Sequence, residues 1–135
     1  MAFTPDGTRA YVTSEVDGTV WVLDAATRKK LAVIGMPEGA KPMDAKASPD
    51  GKRIYVSNGR GGTVSVIDVA TDSVTGTVKV GQRPWGLALT PDGRKLYAAN
   101  GPSNDVSVID TDRLAVTRTI PVGKIPWGVA IGQAP

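Results

Sequence analysis

Short apolar runs recur along the whole chain, each bounded by turn-forming Gly, Pro, Asp or Asn, and the runs come in sets of four. Thr4-Pro5-Asp6-Gly7 returns as Ser48-Pro49-Asp50-Gly51 and Thr90-Pro91-Asp92-Gly93, at offsets of 44 and then 42 residues. Tyr11, Tyr55 and Tyr97 keep those offsets, as do Asp24, Asp68 and Asp110. A fixed period of this length marks a tandem structural repeat. From Asp24 to Pro42 there are two more residues than from Asp68 to Pro84 or Asp110 to Pro126, so the extra length of the first copy sits in one short stretch.

Each copy reads as four strands. Pro presets φ in the Ser/Thr-Pro-Asp-Gly turn, Asp accepts backbone hydrogen bonds, and Gly takes positive φ. A second strand follows at Arg9 to Thr13, Arg53 to Ser57 and Lys95 to Ala99. Asp17-Gly18, Gly61-Gly62 and Asn104-Asp105 then turn the chain into a third strand, Val20 to Leu23, Val64 to Ile67 and Val106 to Ile109. These third strands are apolar nearly throughout, as strands covered on both faces are. A fourth strand, such as Val74 to Val80 or Val116 to Val122, alternates more clearly. Taken alone, Asp24 to Ile34 is compatible with a helix. Its counterparts are rich in Val, Thr and Ile, and copies of one repeat share one fold, so a strand is expected there too. The reading is all-β: three four-stranded antiparallel repeats, at about residues 1–42, 43–84 and 85–126, with a closing strand at 127–131.

Four-stranded units of this length with two apolar faces suit radial stacking as β-propeller blades. Tyr11-Val12-Thr13-Ser14, Tyr55-Val56-Ser57-Asn58 and Tyr97-Ala98-Ala99-Asn100 each lie between Ser/Thr-Pro-Asp-Gly and a Val-x-Val-Ile/Leu-Asp run. In these motifs the chain resembles the YVTN family of β-propeller repeats, although only the first copy keeps Tyr-Val-Thr and it has Ser14 in place of Asn. The Pro-Trp-Gly openings at Pro84 and Pro126, with Asn100-Gly101-Pro102-Ser103-Asn104-Asp105, are also similar to propeller proteins associated with PQQ-dependent catabolism. The resemblance implies a parent exported to the periplasm or cell surface, with a binding or scaffolding role. The alternative it implies is part of a propeller enzyme, lactonase-like or haem-associated, whose catalytic residues lie in other blades.

Closed propellers need four to eight blades, so three leave faces to cover. Each such face presents roughly 300 Å² of projected sheet, about the largest apolar patch a soluble monomer carries. Further blades or a second copy are the expected covers. Met1-Ala2-Phe3 aligns with Leu87-Ala88-Leu89, inside a first strand, and the repeat stops after Ile131. This predicts a start within a longer propeller, with three or four blades upstream and the last strand completing the first blade of the ring.

Composition narrows the chemistry. Among 135 residues there is no His and no Cys, which removes His-based triads, thiolate nucleophiles and zinc–thiolate sites from this chain. The net charge of +3 is scattered rather than blocked, giving no nucleic-acid or membrane-surface signature, and no apolar run is long enough to span a bilayer. No catalytic, cofactor-binding or metal residues are assigned. The candidate site is the mouth of the central channel, where Trp85 and Trp127 open first strands, with Met43 in the equivalent place. Lys41 and Arg83 precede them, and Lys124 stands beside Ile125. The Trp rings either line a pocket for a flat ligand or pack between blades, and the cations either attract an anionic ligand or acidic protein partner or are solvated loop charges. Asp44 and Lys46 replace Gly86/Gly128 and Ala88/Ala130; two apart on one strand face, they either face the channel to hold a ligand or pair with each other, and the pairing is the favoured expectation. Asp24, Asp68 and Asp110 recur in every copy and are expected to cap turns rather than form a carboxylate cluster. Asn58-Gly59-Arg60-Gly61-Gly62 lacks the Lys-Ser/Thr end of a phosphate loop and reads as a hairpin connection.

Overall fold

The computed structural model describes residues 1–132, folded entirely as strands and turns without a helix. The first sheet contains β1 (Ala2–Phe3), β2 (Arg9–Ser14), β3 (Thr19–Asp24) and β4 (Lys30–Gly35). The second contains β5 (Pro42–Ala47), β6 (Arg53–Asn58), β7 (Thr63–Asp68) and β8 (Ser73–Lys79). The third contains β9 (Pro84–Leu89), β10 (Lys95–Asn100), β11 (Asp105–Asp110) and β12 (Ala115–Pro121). In each sheet the strands lie in sequence order, every neighbour antiparallel. The stretch with helical potential is β4 and its preceding turn, because Val20, Trp21 and Val22 of β3 pair with Ile34, Val33 and Ala32.

The Ser/Thr-Pro-Asp-Gly turns form as their chemistry requires. Gly7, Gly51 and Gly93 donate to the carbonyls of Thr4, Ser48 and Thr90 at 2.8, 2.9 and 2.8 Å, with φ of 71°, 71° and 73°. The Thr4, Ser48 and Thr90 hydroxyls each donate to the turn carboxylate at 2.6 Å. Those hydroxyls, together with backbone N–H donors, hold Asp6, Asp50 and Asp92 below the usual carboxylate range. Asp24, Asp68 and Asp110 cap the turns after the third strands, accepting from the N–H of Thr27, Thr71 and Arg113.

The core lies between the sheets. Tyr11, Val20, Val22 and Ile34 of the first sheet pack on Ala45, Ile54, Val56 and Ile67 of the second. Tyr55, Val64, Val66 and Val78 pack in the same way on Leu87, Leu96, Ala98 and Ile109 of the third. The first strands of successive sheets, β1, β5 and β9, approach one another and form an inner edge.

One element differs from expectation. Residues 127–131, read as a closing strand, form no strand. They run beside β9, with Gly128 against Gly86, but a strand exists only through ladder hydrogen bonds to a neighbour, and no described segment supplies that neighbour.

Candidate functional site

The position before each first-strand proline adopts the left-handed conformation in all three copies: Lys41, Arg83 and Ile125 have φ of 54°, 48° and 52°. In this region a residue with a Cβ is strained, and a β-branched one most of all. The reversal turns the Lys41 and Arg83 carbonyls toward the N–H groups of Gly59 and Gly101, at 2.8 and 3.3 Å. The two side chains are thereby set at equivalent places but meet different partners. Lys41 Nζ donates to the Val16 carbonyl at 2.9 Å, whereas the Arg83 guanidinium lies 5.8 Å from the centre of the Trp85 ring.

Trp85 packs against Gly101, where no Cβ has room, and stacks on Trp127 with centroids 4.2 Å apart and planes 19° apart. Trp127 is 69% exposed, so the pair is a packed ring beneath an open one rather than a walled pocket. Lys124 is on an exposed loop held from both sides by Asn104, whose carbonyl accepts from Val122 N–H and whose side-chain oxygen accepts from Ile125 N–H, each at 2.9 Å.

Asp44 and Lys46 pair, Nζ to Oδ2 at 3.2 Å, and this agrees with their spacing on β5. The Asp44 carboxylate does more than the spacing indicates. It also accepts from its neighbour Ala45 N–H at 2.8 Å and from Leu87 N–H of the next sheet at 3.0 Å, joining two first strands. Lys46 lines an open groove of about 470 Å³ along the inner edge with Leu87, Leu89, Pro91, Val129 and Ile131. The structure thus joins Arg83, Trp85 and Trp127 in one stack and Asp44 with Lys46 in a separate pair; Lys41 and Lys124 belong to neither. Among the described residues, no group of three or more His, Cys, Asp or Glu is placed to hold a metal ion.

Sequence reading missed the groups that bind sheet to sheet. Thr13 Oγ1 donates to the Met43 carbonyl at 2.9 Å and Ser57 Oγ to the Trp85 carbonyl at 2.8 Å; the third equivalent, Ala99, has no hydroxyl. Asp72 receives the Tyr11 hydroxyl at 2.8 Å and the Arg9 guanidinium at 3.3 Å across the first junction. Burial, and then the Asp72 carboxylate, push the Tyr11 phenol up to about 12. The signal was present: positions 28, 72 and 114 hold Arg, Asp and Leu inside an otherwise regular repeat.

Three successive four-stranded sheets, stacked face to face with their first strands on an inner edge, are blades of a β-propeller. Residues 1–120 match the family described as "Lactonase, 7-bladed beta-propeller", and the chain belongs to that family. Similar solved structures include hydrazine synthase of Kuenenia stuttgartiensis, at 28% identity and a TM-score of 0.89, covering 94% of this chain and 36% of that one. A candidate 6-phosphogluconolactonase of Bacteroides fragilis is similar at 25% identity and a TM-score of 0.81, with 93% and 39% covered. Dihydro-heme d1 dehydrogenase NirN shares the fold at 24% identity and a TM-score of 0.73, with 87% and 26% covered. The chain therefore spans between about a quarter and two fifths of the length of these structures. No functionally curated protein matches it.

Proposed function

We propose that these three blades are a binding and scaffolding part of a larger propeller protein, exported to the periplasm or cell surface and accessory to PQQ-linked alcohol oxidation. The observation that carries the non-catalytic reading is the state of Asp44. Its carboxylate is taken up by Leu87 N–H, Ala45 N–H and Lys46, and so serves the joint between blades rather than acid–base chemistry. Lys41, Arg83, Lys124 and the open ring of Trp127 offer cationic and aromatic contacts to a protein partner with an acidic surface, or to a small anion. Pull-down from the parent organism with the full-length protein tests this against a Lys41→Ala, Arg83→Ala variant. Loss of a partner is expected; an unchanged set of partners overturns the assignment of that edge.

The family match favours a second reading, a portion of a lactonase-type enzyme with its catalytic groups in other blades. Haem-associated oxidoreductases are a related form of that reading, through fold likeness alone. Lactone hydrolysis by the full-length protein, measured directly, separates the readings: turnover supports the enzyme, and its absence supports the scaffold.

A further inference from the structure

The two closed junctions follow one pattern. The front of each blade presents a basic residue on its second strand, Arg9 or Arg53, which donates to the carbonyl of Val69 or Thr111 on the next blade at 3.2 or 3.0 Å. At one repeat position the back of the receiving blade holds an acid or a neutral group: Asp72, which meets Arg9, or Leu114, which packs on the apolar layer. It also presents a small hydroxyl at the centre of its third strand: Ser65 is 0% and Ser107 2% exposed, held by the Nδ2 groups of buried Asn58 and Asn100 at 2.8 and 2.9 Å.

The back of the first blade breaks this pattern at both positions. Arg28 stands where Asp72 and Leu114 stand and shares their left-handed backbone, with φ of 63° against 48° and 49°. Trp21 stands where Ser65 and Ser107 stand, 39% exposed, with Lys30 Nζ 5.3 Å from its ring centre. Phe3, Leu31 and Val33 are exposed on the same face. The front of the third blade offers Lys95 at the position of Arg9 and Arg53, and Ala99 where Thr13 and Ser57 donate. Docked on a second copy, it would bring Lys95 toward Arg28, two like charges that oppose association.

We propose that the back of the first blade is a docking surface for a β-sheet from outside these residues, one that carries a carboxylate opposite Arg28 and small side chains opposite Trp21, and not for a second copy of this chain. The Arg9–Asp72 pair is the precedent, with the two charges exchanged between the blades. This surface is separate from the Lys41/Arg83 edge, so failure of either assignment leaves the other standing.

The chain itself supplies the probe, since its third blade can be given the missing charge. In a Trp21→Ser background, which restores the residue found at both closed junctions, sedimentation velocity compares self-association of four proteins. These are the background chain, Lys95→Glu, Arg28→Glu, and both changes together, with circular dichroism reporting the fold of each. Each single reversal puts opposite charges at the junction and is expected to tighten association at least tenfold. The double reversal restores like charges and is expected to return it to the background level. The wild-type chain is expected to associate no more tightly than the background. The proposal is overturned if the wild-type or background chain associates as tightly as a single variant, if neither single variant associates, or if the double variant retains the gain.

Discussion

The junction between the first and second blades and that between the second and third have the same frame and different fastenings. Both bury a layer of Tyr, Val and Ile, and both carry a hydroxyl-to-carbonyl bond from a second strand to the next first strand. At the first, Asp72 gathers Tyr11 and Arg9 into a polar cluster. At the second, Leu114 takes the same place and packs on Gly76, whose missing side chain makes room for it. Here Asp44 reaches Leu87 N–H and Asn100 packs on Gly81. Shared apolar burial thus supplies the common stability, and the variable positions supply the register and choice of partner.

The largest expected effect comes from the shared layer. Ile54→Ala at the first junction and Leu96→Ala at the second each empty a fully buried site and should cost about 2–5 kcal/mol in urea denaturation. Similar losses would show that burial dominates both junctions, and a much smaller loss at one would mark it as loosely packed. Next comes the polar cluster. Asp72→Ala leaves the Tyr11 hydroxyl and the Arg9 charge without their partner and should cost about 1–3 kcal/mol. Asp72→Leu puts the residue of the second junction into the first, and combined with Tyr11→Phe, which removes the hydroxyl left unpaired, should cost less than Asp72→Ala alone. A larger cost for the double change would mean that the cluster, not the frame, holds those blades. Removing the hydroxyl fastenings by Thr13→Val or Ser57→Ala should cost about 1 kcal/mol each in the same assay.

The smallest effect is one of pH. Folded Tyr11 keeps its proton up to about 12, whereas in the unfolded chain a tyrosine loses it near 10. The stabilisation is therefore complete below pH 10 and is lost as pH rises from about 10 to about 12. Tyr11→Phe should flatten that part of the stability profile, and an unchanged slope would assign it to other groups.

Repetition made much of the fold legible. Three copies of the same turn, the same Tyr and the same Asp constrain one another, so the strand potential of two copies corrected the helical potential of Asp24 to Ile34 in the first. The candidate site was less legible. Spacing along β5 predicts that Asp44 and Lys46 share a face, but says nothing about Leu87 N–H, which a neighbouring sheet brings to the same carboxylate. The stack of Trp85 on Trp127 likewise joins residues 42 positions apart, where the segment after β12 runs beside β9 at the inner edge.

By itself the sequence determined the all-β class, the number of repeats, the turn chemistry and the absence of His and Cys, because these depend on local backbone preferences and on composition. Only the tertiary structure decided which face of each blade meets the next, which carboxylates fasten blades, and that 127–131 lies beside β9 without pairing. A strand's alternation creates two faces without naming their neighbours; those are chosen by side chains some 40 to 60 residues apart, such as Tyr11 and Asp72, meeting across a sheet interface.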